Sequence, residues 1–371
     1  MERAVARIDF DAIRANCARL KAELGKDSEL CAVVKADGYG HGADACAGAA
    51  LAGGASWLAV ATAVEAEAVG RRYRHVPLLT LGALTQEEVD IVLAASSELS
   101  VWHEGFREML SARASAQGSS ARVHVKYDSG MGRLGNPDPE HLLALARACD
   151  ADPNLELAGV WTHFATADEP ESAFFDEQLE RFERVAAAVK QEFPSVLVHA
   201  ANSAAVFRER RSHFDLARCG VAIYGLDPFQ GDPRERGLAP ALSLRSYVAD
   251  VKRFAAGASA GYGQRWSAPQ DTWVGVIPLG YGDGVRRALS NNGEVLVRGH
   301  RRPLVGTVSM DNITVDLGPE TDVESGDEAV LIGSQGEDEI RAEEVARRLE
   351  TINYEVTCAI SARVPRRALA G

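Results

Sequence analysis

From residue 30 to about 225, short β-rich runs alternate with segments of helical period, and this alternation constrains the fold more than any other feature. The runs are Leu30–Val34, Trp57–Ala61, Leu78–Leu81, Leu99–Trp102, Arg122–Tyr127, Leu157–Thr162, Val196–His199 and Val221–Tyr224. Between them lie amphipathic stretches such as AFFDEQLERFERVAAAV, where Phe175, Leu179, Phe182 and Val189 recur on one helical face. Strands separated by helices make parallel βα units, and eight is the number that closes a (β/α)8, TIM-type barrel. An open doubly wound sheet is the competing architecture. After Gly225 the texture changes: LDPFQGDPRERGLAP reads as a linker, and WVGVIPLG, GEVLVRG, PLVGTVSMDNITVDLG and DEAVLIGS read as strands between turns. The expectation is an α/β chain with a βα barrel over 1–235. A mostly antiparallel β domain follows over 236–371, interrupted by one helix near Ala342–Leu349.

Composition narrows the partners. With 46% hydrophobic and 25% charged residues, the 371-residue chain has apolar material for a real core. Forty Lys+Arg against 53 Asp+Glu give a net charge of −13, which supplies no global positive field for nucleic acid or an anionic membrane. An anionic small ligand would need a local basic cluster. No apolar run reaches the ~20 residues of a membrane span, and the N-terminus MERAVARIDF does not read as a signal peptide. The six cysteines are scattered without CxxC spacing and HExxH is absent, so no metal site is expected and the thiols read as buried and reduced. A cytoplasmic location follows as an expectation.

The stretch CAVVKADGYGHG, residues 31–42, concentrates the chemistry. An apolar strand ends at Lys35, and Gly38, Gly40 and Gly42 follow within seven residues. Residues at the C-terminal ends of barrel strands face the active site. A lysine there loses solvation, and its neutral amine can attack a carbonyl. The same stretch matches GxGxxA over Gly38–Ala43, a dinucleotide fingerprint that would make the chain an NAD-dependent oxidoreductase. That reading lacks the acidic residue closing the second strand, since Trp57–Ala61 is followed by Thr62 and Glu65 falls inside the next helix. It also leaves Lys35 and the β domain without a role. Other strand ends carry polar groups: Lys126, Asp128 and Arg133 in VKYDSGMGRLG, His163 in VWTHFATAD, Asn202 and Ser203 in HAANSAA, and Arg218 with Gly220 in LARCGVAIYG. Together they describe a shared pocket for a charged ligand.

With these motifs assembled, the chain resembles the alanine racemases, pyridoxal-phosphate enzymes built from a βα barrel and a C-terminal β domain. VVKADGYGHG, MGRLG, THFATADE, NSAA, GYG, PLGYGDG, VGTVSMDN and ETINYEVTCAISARVPR fall in family order over nearly the whole length. The resemblance implies interconversion of L- and D-alanine by two-base proton transfer at Cα. Lys35, bound as an aldimine to pyridoxal 5′-phosphate, would serve one face, and Tyr262 of the other subunit the opposite face. It implies a phosphate held among Tyr39, Ser203, Gly220, Val221 and Tyr354, with Arg218 facing the pyridine nitrogen. His163 would hydrogen-bond Tyr262 and link it towards Arg218. Arg133 and the backbone N–H of Met310 would hold the substrate carboxylate. Tyr262, Tyr281 and Met310 would cross from the partner, making the active unit a homodimer. Lys126 matches a position often carbamylated in relatives, where it would orient Arg133.

Tyr354 and Tyr262 would narrow the entrance and favour alanine over larger substrates; a broader-specificity amino-acid racemase is the neighbouring alternative. The sequence departs from the usual family pattern at Cys219, where Pro is more common, at Gly38, where Ala is, and at Gly261, where Ser is frequent.

Overall fold

A computed structural model describes residues 2–369. The contacts between its elements divide the chain into two compact units: residues 13–38 with 43–223, and residues 2–12, 39–42 and 224–369. The first strand of the chain, β1 (Val5–Ile8), belongs to the second unit.

The first unit is a ring of eight parallel strands. In chain order they are β2 (Glu29–Val33), β3 (Trp57–Val60), β4 (Leu78–Thr80), β5 (Glu98–Val101), β6 (Ala121–Lys126), β7 (Leu155–Trp161), β8 (Leu197–His199) and β9 (Leu216–Cys219). Six hydrogen-bonded pairings run from β8 back to β2, and β2 also pairs β9. The gap between β8 and β9 is stitched by Arg218 N–H to Ala201 O and Asp215 N–H to Val198 O, both 2.9 Å. Strands in such a ring are covered on both faces, which is why β3, β4 and β5 are buried along their whole length. Several helices begin with explicit stop signals for the preceding loop. Thr62 with Glu65 and Thr85 with Glu88 form capping boxes, each satisfying N–H groups that the first helical turn leaves open. The helix Phe174–Glu192 buries Phe175, Leu179, Phe182 and Val189 on its inner face, as the period required.

Seven of the eight expected strands stand close to where the apolar runs put them. The eighth does not. Val221–Tyr224 is a buried 3-10 turn, and the strand lies just before it at Leu216–Cys219. An arginine inside LARC lowers its apparent strand character, while VAIY is apolar because a turn is buried there.

The second unit is a ten-stranded sheet, antiparallel throughout its described pairings except where β1 runs parallel to the last strand. Its further strands are β10 (Leu242–Tyr247), β11 (Asp250–Phe254), β12 (Thr272–Ile277), β13 (Glu294–Val297), β14 (His300–Val305), β15 (Ile313–Gly318), β16 (Glu328–Gln335), β17 (Asp338–Ile340) and β18 (Arg366–Ala368). β1 enters in antiparallel register with β10, Val5 opposite Arg245 through Ile8 opposite Leu242, and so buries Ala6 and Ile8. A lone strand far ahead of its partner in sequence carries no local signal of this pairing, and the split expected at 235/236 did not include it.

The expected linker is held tightly: Asp227 N–H donates to Glu343 Oε1 at 3.0 Å, and Arg236 Nε to Asp227 Oδ1 at 2.7 Å. At Gly225, φ is +73° and a Cβ would lie 1.7 Å from Ala239 O, so only glycine fits. The helix expected near Ala342–Leu349 spans Ala342–Arg348, and a second, Asn353–Cys358, follows it. Among the described residues no helix is long and apolar enough to cross a membrane. Five cysteines are buried and Cys358 is exposed.

Candidate active site

Lys35 begins immediately beyond β2, and the backbone after it turns the wrong way for L-residues. Ala36, Asp37, Gly38 and Tyr39 have φ of 52°, 51°, 63° and 53°, a left-handed turn closed by Gly38 N–H to Val34 O at 2.9 Å. Left-handed geometry costs roughly 1–2 kcal/mol at each non-glycine residue, so something must hold it. Glu65 does: its Oε1 accepts the Ala36 N–H at 2.6 Å, while Oε2 accepts the N–H groups of Ala61 and Thr62. Asp37 Oδ1 accepts the Ala43 N–H at 3.0 Å. The carboxylate that disqualified a dinucleotide site is thus a clamp on the backbone beside Lys35.

Around the same strand ends, cations converge. Lys126 ends β6, buried, with Nζ 4.3 Å from the centre of the Trp161 ring. Burial, then the positive charges of Arg133 and Arg218, lower its ammonium to about 8, against the opposing pull of Asp128. Arg218 lies inside β9, its guanidinium carbon 4.6 Å from the same Trp161 ring. It donates to Thr162 O at 2.8 Å, to Ala200 O at 3.1 Å and to His199 Nδ1 at 2.8 Å, with His163 Nδ1 at 3.4 Å. Burial alone brings its acidity to about 10. His163 is held well below the usual imidazole range, first by desolvation and then by Arg218, Arg133, Lys126 and Lys35. Arg218 is the cation in contact with it, and the imidazole stays neutral near pH 7.

Arg133 sits exposed on the loop after β6. The loop's shape comes from Asp128, whose carboxylate accepts N–H groups from Gly130 (3.0 Å), Met131 (2.7 Å) and Gly132 (2.9 Å). On the β8–β9 side, Ser203 Oγ accepts the N–H of Gly220 at 3.1 Å and of Ala222 at 3.3 Å. Both bonds use lone pairs of the Ser203 oxygen. Val221 is buried beside it.

The remaining expected residues belong to the β unit. Tyr39 is buried, its ring 6.0 Å from that of Tyr354 and 5.2 Å from that of Tyr224. Tyr354 stands on the helix Asn353–Cys358, which the sequence reading did not anticipate. Tyr262, Tyr281 and Met310 are 74%, 45% and 51% exposed, large side chains turned to solvent. Their loops are nevertheless fixed: Thr307 Oγ1 donates to Tyr262 O at 2.7 Å, Tyr281 N–H to Ser309 O at 3.0 Å and Gly282 N–H to Met310 O at 2.9 Å.

Residues 8–228 match the family model for the alanine racemase N-terminal domain, and residues 241–368 that for its C-terminal domain. The chain belongs to the alanine racemase family. It is 41% identical over 363 residues to the alanine racemase of Symbiobacterium thermophilum, covering 97% of this chain and 96% of that one. It is 40% identical to alanine racemase 1 of Bacillus subtilis, covering 97% and 92%. Among solved structures, the alanine racemase of Streptomyces coelicolor superposes with a TM-score of 0.94 at 38% identity, covering 99% of this chain and 98% of that one. The alanine racemase of Bacillus anthracis, solved with bound L-Ala-P, gives 0.91 at 36%, covering 100% and 96%. In this family member the sequence reading missed Glu65, Glu98, His124, Trp161 and His199. A signal existed for three of them, since a histidine or glutamate inside an apolar barrel strand must find a buried partner.

Proposed function

We propose that this chain interconverts L- and D-alanine with pyridoxal phosphate at the barrel mouth, as a homodimer. The observation that carries the reading is the basic cluster at the strand ends: Lys126 and Arg218 lie over the same Trp161 ring, Arg218 reaches His163 Nδ1, and Lys35 and Arg133 follow the ends of β2 and β6. So much positive charge in one mouth calls for anions, and a phosphate with an amino-acid carboxylate supplies them. The donor set fits the cofactor: an amine at Lys35, the Ser203 hydroxyl beside Gly220 and Val221 for phosphate oxygens, and a buried guanidinium at Arg218 for the ring nitrogen. When bound, pyridoxal phosphate supplies an aldehyde that captures an amine and a ring that takes up the electron pair left when a Cα–H bond breaks.

Every other step falls to the protein. Lys35 would hold the cofactor through its amine and, once released, would move a proton on one face of Cα. Tyr262 of a second copy serves the other face, where a phenol works as a base only beside groups that stabilise its phenolate. His163 and Arg218 supply that environment. Arg218 would face the ring nitrogen as a guanidinium that keeps its own proton, which would leave that nitrogen unprotonated and limit side reactions. Arg133 and the Met310 N–H orient the carboxylate. Tyr39 and Tyr354 support the phosphate, and Tyr354 with Tyr262 narrows the entrance to alanine. Exposed Tyr262, Tyr281 and Met310 favour a dimer, because three large side chains on fixed loops present an apolar patch that a second copy would cover. We place the enzyme in the cytoplasm.

Purified protein given L-alanine and pyridoxal phosphate should yield a racemic mixture by chiral chromatography, and borohydride should fix the cofactor on Lys35. An enantiopure product pool, or an adduct on another side chain, defeats the proposal. Carbamylation of Lys126 fits its buried, acidified amine, since only the neutral form captures carbon dioxide. Intact-mass analysis under non-acidic conditions should show the added carboxylate, and an unmodified Lys126 removes that role.

A further inference from the structure

Beneath the barrel mouth, four strands contribute one buried polar chain. Glu98 Oε2 lies 2.6 Å from His124 Nε2, His124 Nδ1 lies 2.8 Å from His199 Nε2, and His199 Nδ1 lies 2.8 Å from Arg218 Nη1. His124 and His199 are fully buried, and Glu98 and Arg218 nearly so. Glu98 Oε1 accepts Arg122 Nε at 2.8 Å. Burial works to raise the Glu98 carboxyl, but the bonds from His124 and Arg122 outweigh it and keep the group ionised.

The proton positions follow from donor logic alone. A guanidinium only donates, so His199 Nδ1 must accept and the His199 proton sits on Nε2. That N–H donates to His124 Nδ1, which places the His124 proton on Nε2, where it meets the carboxylate. One arrangement satisfies all three bonds, with both imidazoles neutral. His199 is indeed held well below the usual imidazole range, by burial first and then by Arg218 and His124.

The surroundings are built for this chain of bonds. A Cβ on Gly159 of β7 would fall 2.0 Å from His124 Nδ1, so the glycine admits the ring. The Trp161 ring lies parallel to His199, 5° apart in plane at 5.8 Å. Among the described residues Arg218 makes no ion pair with a carboxylate; its remaining bonds go to the carbonyls of Thr162 and Ala200 and to His163.

We propose that Glu98 and His124 are positioning residues for Arg218, fixing through His199 the tautomer chain that aims the guanidinium while keeping its counter-charge two imidazoles away. A carboxylate in direct contact would bind the guanidinium edge-on through two parallel N–H···O bonds and occupy the donors wanted elsewhere. A relay orients one donor and leaves the rest free, and the chain polarises along its length. The catalytic consequence rests on the role proposed for Arg218; the relay itself does not.

Two measurements test it. Nitrogen-15 NMR of the histidine rings in the full-length protein, without cofactor or alanine, should show His124 and His199 both neutral with the proton on Nε2. A charged ring, or a proton on Nδ1 of either, overturns the relay whether or not the protein racemises alanine. Glu98→Leu, which leaves the His124 donor facing carbon, should shift the His124 Nε2 resonance away from its carboxylate-bonded position, since the chain is then anchored from the Arg218 end alone. In the holoenzyme it should lower kcat about 10- to 100-fold, the range for groups that orient a site from behind, shift the cofactor's absorbance band and leave KM for alanine within about twofold. A folded Glu98→Leu protein with unchanged kcat and spectrum overturns the positioning role. If that variant fails to fold, the tautomers of the unaltered protein still decide.

Discussion

Lys35→Ala should abolish racemisation, by at least about a thousandfold in kcat/KM, because covalent capture of the cofactor and a proton-transfer group disappear together. The loss should be chemical and not conformational. The left-handed turn after residue 35 is held by Glu65 and Asp37 through the backbone N–H groups of Ala36 and Ala43, none of which involves the lysine side chain. Its closing bond, Gly38 N–H to Val34 O, is likewise backbone to backbone. Circular dichroism and the melting profile should therefore match those of the unaltered protein freed of cofactor, while the borohydride-reducible yellow colour is lost. Full activity in this variant, without added amines, would mean that another group performs the transfer. A loss of activity with a collapsed melting profile would instead assign Lys35 a structural task, which its position beyond the end of β2 gives no reason to expect.

Lys35 was legible in the sequence because its signal is local: an apolar strand, a lysine, then glycines. The same locality explains what escaped. β9 was displaced by a few residues because Arg218 sits inside the strand, and a buried arginine in a barrel is intelligible only with its partners. Those partners, His199, Thr162 and Ala200, come from β8 and the end of β7, and no spacing rule links them. His124 and Glu98 lie further off in sequence, and ring closure alone brings the four strands' inward residues into line. Tyr354 could be named from its motif, yet its helix was not foreseen, since six residues are too few to show a helical period. β1 pairs with residues more than 230 positions away, and only the sheet reveals it. Motifs with short-range logic were readable; those needing topology were not.

Tyr262→Phe separates the two faces of the reaction. The ring and the loop should survive, because the loop is anchored through the Tyr262 carbonyl, which accepts from Thr307 Oγ1, and not through the phenol. The equilibrium constant between enantiomers is one, so racemisation must fall equally in both directions and cannot say which base was lost. Isotope exchange can. In deuterium oxide, the enantiomer whose Cα proton faces Lys35 should still exchange, since the amine can remove a proton, trade it with solvent and return deuterium to the same face. The other enantiomer has lost its base, and its exchange should drop about 10²- to 10⁴-fold, the span for a positioned proton-transfer group. Mass spectrometry of L- and D-alanine incubated separately reads this asymmetry directly, with the surviving substrate gaining deuterium while keeping its configuration. Equal and small losses for both enantiomers would show that one group serves both faces, and the two-base assignment would fall.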